Sequence, residues 1–279
     1  MPRSWSVGMG IFGLLLAASS VSAQELRVYT RTVDLSDSKP GDEGRAPVVA
    51  RSLTLFHAGK VYDYIESLRE VTIYDPAHRR FFVIQDSLGA YAEVTQDEVR
   101  RFLGLAEDKV RELTGDLVRQ PDSGGSAALD LLQLQLRPQF EVRYDESARR
   151  LRLQAPRFQY DVVCASTPQL AAVDAYLKYA DAIAELNAVL HPHSLLPGPR
   201  WQVNQELRQR QMLPVSVRRR MEYGRVSDLQ SLHEWAWKLD EHDRKLITHW
   251  ESQLSPQKLR PMSFKQLQQS VLGGGLAQR

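Results

Sequence analysis

The sequence predicts an α+β fold, in which a curved antiparallel sheet carries helices on one face and is followed by a mainly helical C-terminal region. Apolar and polar residues alternate with a period of two between Glu25 and Cys164, as is typical of half-buried strands. The gaps between these runs are as short as hairpin turns. After Cys164, apolar residues recur every three or four positions, which is the spacing of amphipathic helices. We therefore divide the chain into a β-rich region, 24–165, and a mainly helical region, 166–272.

Each strand of the β-rich region is predicted from a short alternating run that ends at a turn. Ala58-Gly59 is predicted to form a tight turn, and so is Asp75-Pro76, because proline cannot donate to a sheet hydrogen bond. Hairpin-sized gaps favour an antiparallel meander over a parallel sheet. The predicted strands cover 26–29, 53–56, 61–66, 71–73, 80–85, 140–144, 151–153 and 158–164.

One helix, near 95–117, is predicted to interrupt these strands. Thr95 and Glu98 have the spacing of a capping box, in which each side chain accepts a hydrogen bond from the other residue's backbone amide. Apolar residues then continue at helical spacing from Val99. The next segment, 120–127, is rich in glycine and serine and is predicted to be a flexible loop.

The C-terminal region is predicted to begin with a helix at 166–168 that ends at His191-Pro192. A short helix capped by Asn204 follows, and the loose alternation at 214–223 is compatible with a late strand. Ser227 and Gln230 form another capping-box pattern, which predicts a long helix from 227 to 250. The glycine-rich residues 273–279 are predicted to be a flexible tail.

The first 23 residues have the pattern of a secretory signal peptide. Arg3 precedes an apolar run at 7–18, and small residues stand at Val21-Ser22-Ala23. This pattern predicts cleavage between Ala23 and Gln24, with a periplasmic or extracellular location and no transmembrane segment in the mature chain. The alternative is an uncleaved anchor, for which the run is short compared with a bilayer core of roughly 30 Å.

The composition excludes several unusual classes of protein. The 279 residues are 43% hydrophobic and 25% charged, with one cysteine, which argues against a disordered chain, a collagen-like repeat, a disulfide scaffold and a multi-span membrane protein. Cys164 has no partner for a disulfide, and the apolar residues before it favour a buried core position over a catalytic one.

No catalytic residue, cofactor site or metal site is predicted. The phosphate-binding, dinucleotide-binding, serine-nucleophile and zinc-protease motifs are absent from the sequence. His191 and His193 are close enough in sequence to share a metal ion, but no third ligand is specified nearby. The pair is therefore interpreted as the end of a helix.

Aromatic residues supply the first set of candidate binding residues. A concave sheet lined by them would hold an apolar or lipid-like ligand, although aromatic residues are also common in sheets for packing reasons. The candidates for ligand binding are Tyr62, Tyr64, Phe82, Tyr144 and Tyr160.

A second set of candidates comes from an asymmetry of charge. Residues 200–279 carry 14 basic and 8 acidic side chains, whereas residues 24–199 carry 21 and 26. Arginine side chains suit carboxylate and phosphate groups, so these residues are expected to contact an anionic component of the envelope or the acidic part of the same chain. The alternative is a solvated face without a partner. Nucleic acid is not expected, because no recognised nucleic-acid-binding module is present. The candidates for contact with anions are Arg208, Arg210, Arg218, Arg219 and Arg220.

Three segments, 52–65, 71–76 and 181–190, resemble a family of uncharacterised exported bacterial proteins. The strand pattern of 48–165 is also similar to that of periplasmic lipoprotein-carrier-like (LolA/LolB-like) domains. This resemblance implies a curved antiparallel sheet that wraps helices and can shelter acyl chains. We therefore expect an exported, non-enzymatic binding or interaction protein. The alternatives are an extracytoplasmic hydrolase with an unrecognised site and a structural protein of the envelope.

Overall fold

The computed structural model describes residues 25–38, 43–119, 125–191 and 194–277. The predicted signal peptide with its cleavage site lies outside these residues, and so do His193 and residues 120–124 of the predicted loop.

The described residues form one sheet of twelve strands. Its order is β12-β6-β5-β4-β3-β2-β1-β11-β10-β9-β8-β7, and every neighbouring pair is antiparallel except β12 and β6. The strands are β1 Leu26–Asp34, β2 Val48–His57, β3 Lys60–Ile65, β4 Glu70–Asp75, β5 Arg80–Gln85, β6 Ala90–Thr95, β7 Glu141–Asp145, β8 Arg150–Ala155, β9 Phe158–Ser166, β10 Met212–Tyr223, β11 Arg225–Ala236 and β12 Arg260–Met262. The helices are α1 Gln96–Arg119, α2 Gly125–Leu136, α3 Leu170–Leu190, α4 Gly198–Arg210, α5 Glu241–Gln253 and α6 Phe264–Ala277.

Helices cover the sheet on one side, which we call the helical face. Side chains such as Val28, Phe81 and Val162 point to this face and pack with apolar residues of α1, α3, α4 and α6. Helix α3 contributes most, since 11 of its 21 residues are buried. The predicted α+β class, with a curved antiparallel sheet and helices packed on it, is therefore confirmed.

Helix α5 lies on the opposite side, which we call the second face. Strands β2–β5 are apolar on both faces, so their remaining side chains, Leu55 and Ile73 among them, need a second cover. Ile247 and Trp250 of α5 supply it. The chain then returns through β12, which pairs with β6, to α6 on the helical face, where Phe264 is buried. This C-terminal segment protects a sheet edge that would otherwise be open.

The turn at Ala58-Gly59 is confirmed. His57 pairs with Lys60, and both central residues have positive φ, 49° for Ala58 and 77° for Gly59. A two-residue hairpin of this kind needs positive φ at both positions, because its twist then matches that of the strands. Glycine adopts this conformation readily, whereas Ala58 is held in it by the strands on each side.

The prediction of a helix from Ser227 is wrong over residues 227–236, which belong to β11. This strand lies between β1 and β10 near the middle of the sheet. Because both of its faces carry some apolar residues, Leu229 on the helical face and Leu232 on the other, the apolar spacing resembles that of a helix. The C-terminal region thus contributes two long strands, and the boundary at 165/166 does not divide the sheet from the helices.

Two predicted irregular segments contain helix instead. Helix α2 begins at Gly125, inside the predicted loop at 120–127, and α6 extends to Ala277 through the predicted tail. Glycine lowers helix propensity by only about 1 kcal/mol per residue, so neighbouring contacts can override it. None of the described helices is long and apolar enough to cross a membrane.

Candidate functional site

The five aromatic candidates do not form one surface. Tyr62, Tyr64 and Phe82 lie on the second face with the residues that pack against α5. Tyr144 and Tyr160 lie on the helical face in the other half of the sheet. Successive residues of a strand point to opposite faces, so strand phase separates the two groups.

The aromatic residues of the second face are occupied by packing. The ring of Tyr62 stacks at 6.5 Å from that of Trp250, and its hydroxyl donates a hydrogen bond of 2.7 Å to Glu251. The Tyr64 ring lies 6.0 Å from the same tryptophan. Phe82 lies under the guanidinium group of Arg80 at 4.9 Å. These contacts give the three residues a structural role.

The arginine candidates are mostly paired within the chain. The Arg218 guanidinium forms two hydrogen bonds of 2.8 Å to the buried Asp228 carboxylate. Four of the five candidates form such pairs: Arg208 with Asp181, Arg210 with Glu206, Arg218 with Asp228 and Arg220 with Glu222. This favours internal pairing for these four residues over an external anionic partner.

Arg219 is the exception among the five. Strand β10 alternates, so Arg218 and Arg220 lie on the second face, whereas Arg219 points to the helical face together with Val217. Its Nε atom is buried and has no hydrogen-bond partner among the described residues. None of the described carboxylates forms an ion pair with it.

Arg219 lines a solvent-open cleft of about 340 Å³, which we call the Arg219 cleft. One wall is the helical face of β1, β9, β10 and β11, and the other is α3 with the connection to α4. Its lining contains no acidic residue among the described side chains. It consists of Thr32, Tyr160, Ala184, Asn187, Ser194, Leu195, Leu196, Pro197, Arg200, Val217, Arg219, Leu229 and Ser231.

A second arginine, Arg200, enters the cleft from the first turn of α4. Burial raises the pKa of the Tyr176 hydroxyl on α3, and the positive charge of Arg200 opposes that rise. Burial and the positive charge of Arg200 lower the pKa of the nearby His233 to about 3, so this imidazole is neutral at physiological pH. Sequence reasoning missed Arg200, because no local pattern distinguishes it from other surface arginines.

Tyr160 lines the cleft together with the two arginines. Its side chain is 5% exposed and packs against Phe158, with 5.1 Å between ring centroids. Burial raises the pKa of its hydroxyl, and the charges of Arg219 and Arg200 oppose that effect. All three side chains belong to the lining of one cleft.

Tyr144 lies outside the cleft. The Arg210 guanidinium lies 5.1 Å from the centre of its ring, and its hydroxyl lies 3.2 Å from the sulfur of Met212. Of the ten candidate residues, only Tyr160 and Arg219 meet at the Arg219 cleft.

A larger opening of about 530 Å³ lies beside α1 and α2. Its lining is mostly polar and includes no candidate residue from either set. It contains Arg111, Thr114, Gln133, Leu136, Arg137 and Gln139. Arg111 is already paired with Glu107 and Asp108, and Arg137 is exposed, so this opening does not have the buried unpaired guanidinium nitrogen that the Arg219 cleft has.

His191 pairs with a carboxylate. Its Nε2 atom lies 3.3 Å from Oε1 of the buried Glu70, and this contact ties the end of α3 to strand β4. Within the part of the chain that the structure describes, no group of three or more His, Cys, Asp or Glu residues is arranged to hold a metal ion.

Cys164 is a core residue. It is 4% exposed, and burial raises the pKa of its thiol to about 11. A nucleophilic cysteine needs the opposite shift, so this geometry does not support the catalytic role considered from the sequence.

We expect the thiol of Cys164 to be unreactive in the folded protein. At about pH 8, very little thiolate is present when the pKa is about 11, and the sulfur is also shielded. Labelling with 5,5′-dithiobis(2-nitrobenzoate) should therefore be slow in buffer and reach one equivalent only in guanidinium chloride. Rapid labelling of the folded protein would contradict this burial.

Comparison with known proteins adds no family assignment. No protein-family model matches this chain, and no curated protein matches it either.

Proposed function

We propose that this chain is an exported, non-enzymatic binding protein that holds one small, partly apolar ligand in the Arg219 cleft. The observation that carries the proposal is an open cleft of about 340 Å³ directly against the sheet. Ligand pockets in proteins usually have volumes of roughly 300–1,000 Å³, so the cleft suits a small molecule.

The lining of the cleft supports this function. Apolar contact comes from Val217 and Leu229 on the sheet and from Leu195 and Leu196 on the connection to α4. The hydroxyl groups of Thr32 and Ser231 are 2.9 Å apart at the same wall, where they add polar contacts. Apolar walls with a few placed polar groups are the common composition of a small-molecule site.

The size of the cleft limits the ligand. The middle of the helical face is filled by α3, whose Leu177 and Leu186 are fully buried. A sheet that shelters long acyl chains needs a hollow interior, and the described part of this face has none at that position. A small amphiphile fits the cleft better than a whole lipid.

Catalysis receives less support from the same geometry. The described lining of the cleft contains no carboxylate and no cysteine that would act as nucleophile or general base. The neighbouring His233 is held neutral, and its Nδ1 is hydrogen-bonded to Thr30, which does not line the cleft, rather than to a hydroxyl of the lining.

A neutral fluorescent probe, N-phenyl-1-naphthylamine, tests the proposal. We expect saturable binding to the wild-type protein and a loss of about tenfold or more in affinity for Ala184→Phe, because the larger side chain would occupy the cleft. Ala171→Phe changes an exposed position of the same helix and should bind like the wild type.

Ser194→Phe provides a second test at an exposed position of the cleft rim, where a change in stability is not expected. Equal binding by the wild type, Ala184→Phe and Ser194→Phe would contradict the proposal.

Export is tested separately. The mass of the protein recovered outside the cytoplasm should match a chain that begins at Gln24.

A further inference from the structure

Two arginines of the Arg219 cleft have no acidic partner among the described residues. The other four arginine candidates are paired with carboxylates inside the chain. No described carboxylate pairs with Arg200 or Arg219, and the buried Nε of Arg219 has no acceptor among the described residues. A buried donor without an acceptor is destabilising, and more so when it is charged. The Nε–H donor of Arg219 therefore lacks a hydrogen-bond acceptor within the described residues.

The surroundings leave the positive charge of the two arginines uncompensated. Thr32, Asn187, Ser194 and Ser231 are neutral, and no described acidic side chain lines the cleft. The nearby His233 is neutral at physiological pH, so it does not change the net positive charge of the site. The two arginines can therefore pair with a negatively charged group of the ligand.

Helix α4 reinforces this electrostatic field. It begins at Gly198, and both Pro197 and Arg200 border the cleft. The first amides of a helix carry partial positive charge and have no partner within the helix. The N-terminal end of α4 thus adds to the potential of the two guanidinium groups.

We propose that Arg200 and Arg219 form an oxyanion-binding site, which takes the carboxylate or phosphate group of the ligand. Guanidinium groups donate two parallel hydrogen bonds to either anion. The site rests on the proposed function, because the apolar part of the same ligand lies against Val217, Leu229 and Leu196. The ligand class is a small amphiphile with one anionic end.

A matched pair of probes separates this site from the apolar part of the cleft. 8-Anilinonaphthalene-1-sulfonate has the same ring system as N-phenyl-1-naphthylamine and carries one additional sulfonate. For Arg219→Gln we expect the affinity for the anionic probe to fall about tenfold, which is the effect of one charge-assisted hydrogen bond, while the neutral probe binds as before. Arg200→Gln should behave in the same way.

Arg220→Gln is the control variant. It removes the same charge from the adjacent position of β10, where Arg220 faces the other side of the sheet and pairs with Glu222. We expect it to bind both probes like the wild type. If Arg219→Gln and Arg220→Gln weaken the anionic probe equally, or if neither does, the oxyanion site is wrong. In either case, unchanged binding of the neutral probe would leave the proposed function standing.

Competition identifies the anion. Decanoate and decyl phosphate are added to displace the anionic probe at constant ionic strength, with decanol as the uncharged comparison. In the wild type, we expect at least one of the two anions to bind about tenfold more tightly than decanol. In Arg219→Gln, the same ratio of affinities should fall below about threefold. Decanol competing as well as both anions would overturn the oxyanion site.

Discussion

Replacing Leu177 with alanine is expected to lower the free energy of unfolding by about 2–5 kcal/mol. Leu177 lies in the middle of α3, is fully buried, and belongs to the large apolar core on the helical face. The substitution removes three carbon atoms and leaves a cavity that the sheet and α3 cannot close completely. Urea denaturation followed by circular dichroism measures the change.

Leu170→Ala is the control for this experiment. Leu170 begins the same helix and is 49% exposed, so its replacement should change the free energy of unfolding by less than about 0.5 kcal/mol. Similar small effects at Leu170 and Leu177 would mean that α3 does not fill the helical face, and that the interior has room for a larger ligand than we propose.

Replacing Trp250 with alanine is expected to cost about 3–5 kcal/mol of stability. Trp250 is 5% exposed and packs between Tyr62 and Tyr64 on the second face. Its removal would also expose the apolar side chains of β2–β5 that α5 covers. The loss is measured by urea denaturation, and the binding of the neutral probe by the folded variant should stay unchanged.

Trp237→Ala is the corresponding control, because Trp237 is 38% exposed and lies just beyond the end of β11. We expect its effect on stability to be at most about 1 kcal/mol. If Trp250→Ala keeps wild-type stability but loses the probe, then Tyr62 and Tyr64 form the binding surface after all, and the Arg219 cleft does not.

Most strand positions are predicted in the β-rich region, where short alternating or apolar runs end at turns. The predicted strands correspond to β1–β5 and β7–β9, whereas β6, Ala90–Thr95, has no counterpart among them. The turn at Ala58-Gly59 follows from local chemistry. Strand β11 is missed because it is a central strand with apolar residues on both faces, so its pattern resembles a helix. The position of α5 on the second face depends on long-range packing, which a local pattern does not contain.

The candidate site is only partly predictable for a related reason. The run Arg218-Arg219-Arg220 is visible in the sequence, but the separation of Arg219 from its neighbours depends on the phase of β10. Arg200 joins it through the packing of α4 against the sheet. The aromatic candidates are of similar residue types but lie on different faces of the sheet. Residue type alone does not distinguish Tyr160, which lines the cleft, from Tyr62, which does not.

Titration of ¹⁵N-labelled protein with 8-anilinonaphthalene-1-sulfonate, followed by backbone amide shifts, locates the ligand site residue by residue. We predict that the largest changes occur at Ala184, Val217, Arg219 and Leu229, which line the Arg219 cleft. Changes confined to the second face around Tyr64, or to the opening beside α1 and α2, would contradict this location.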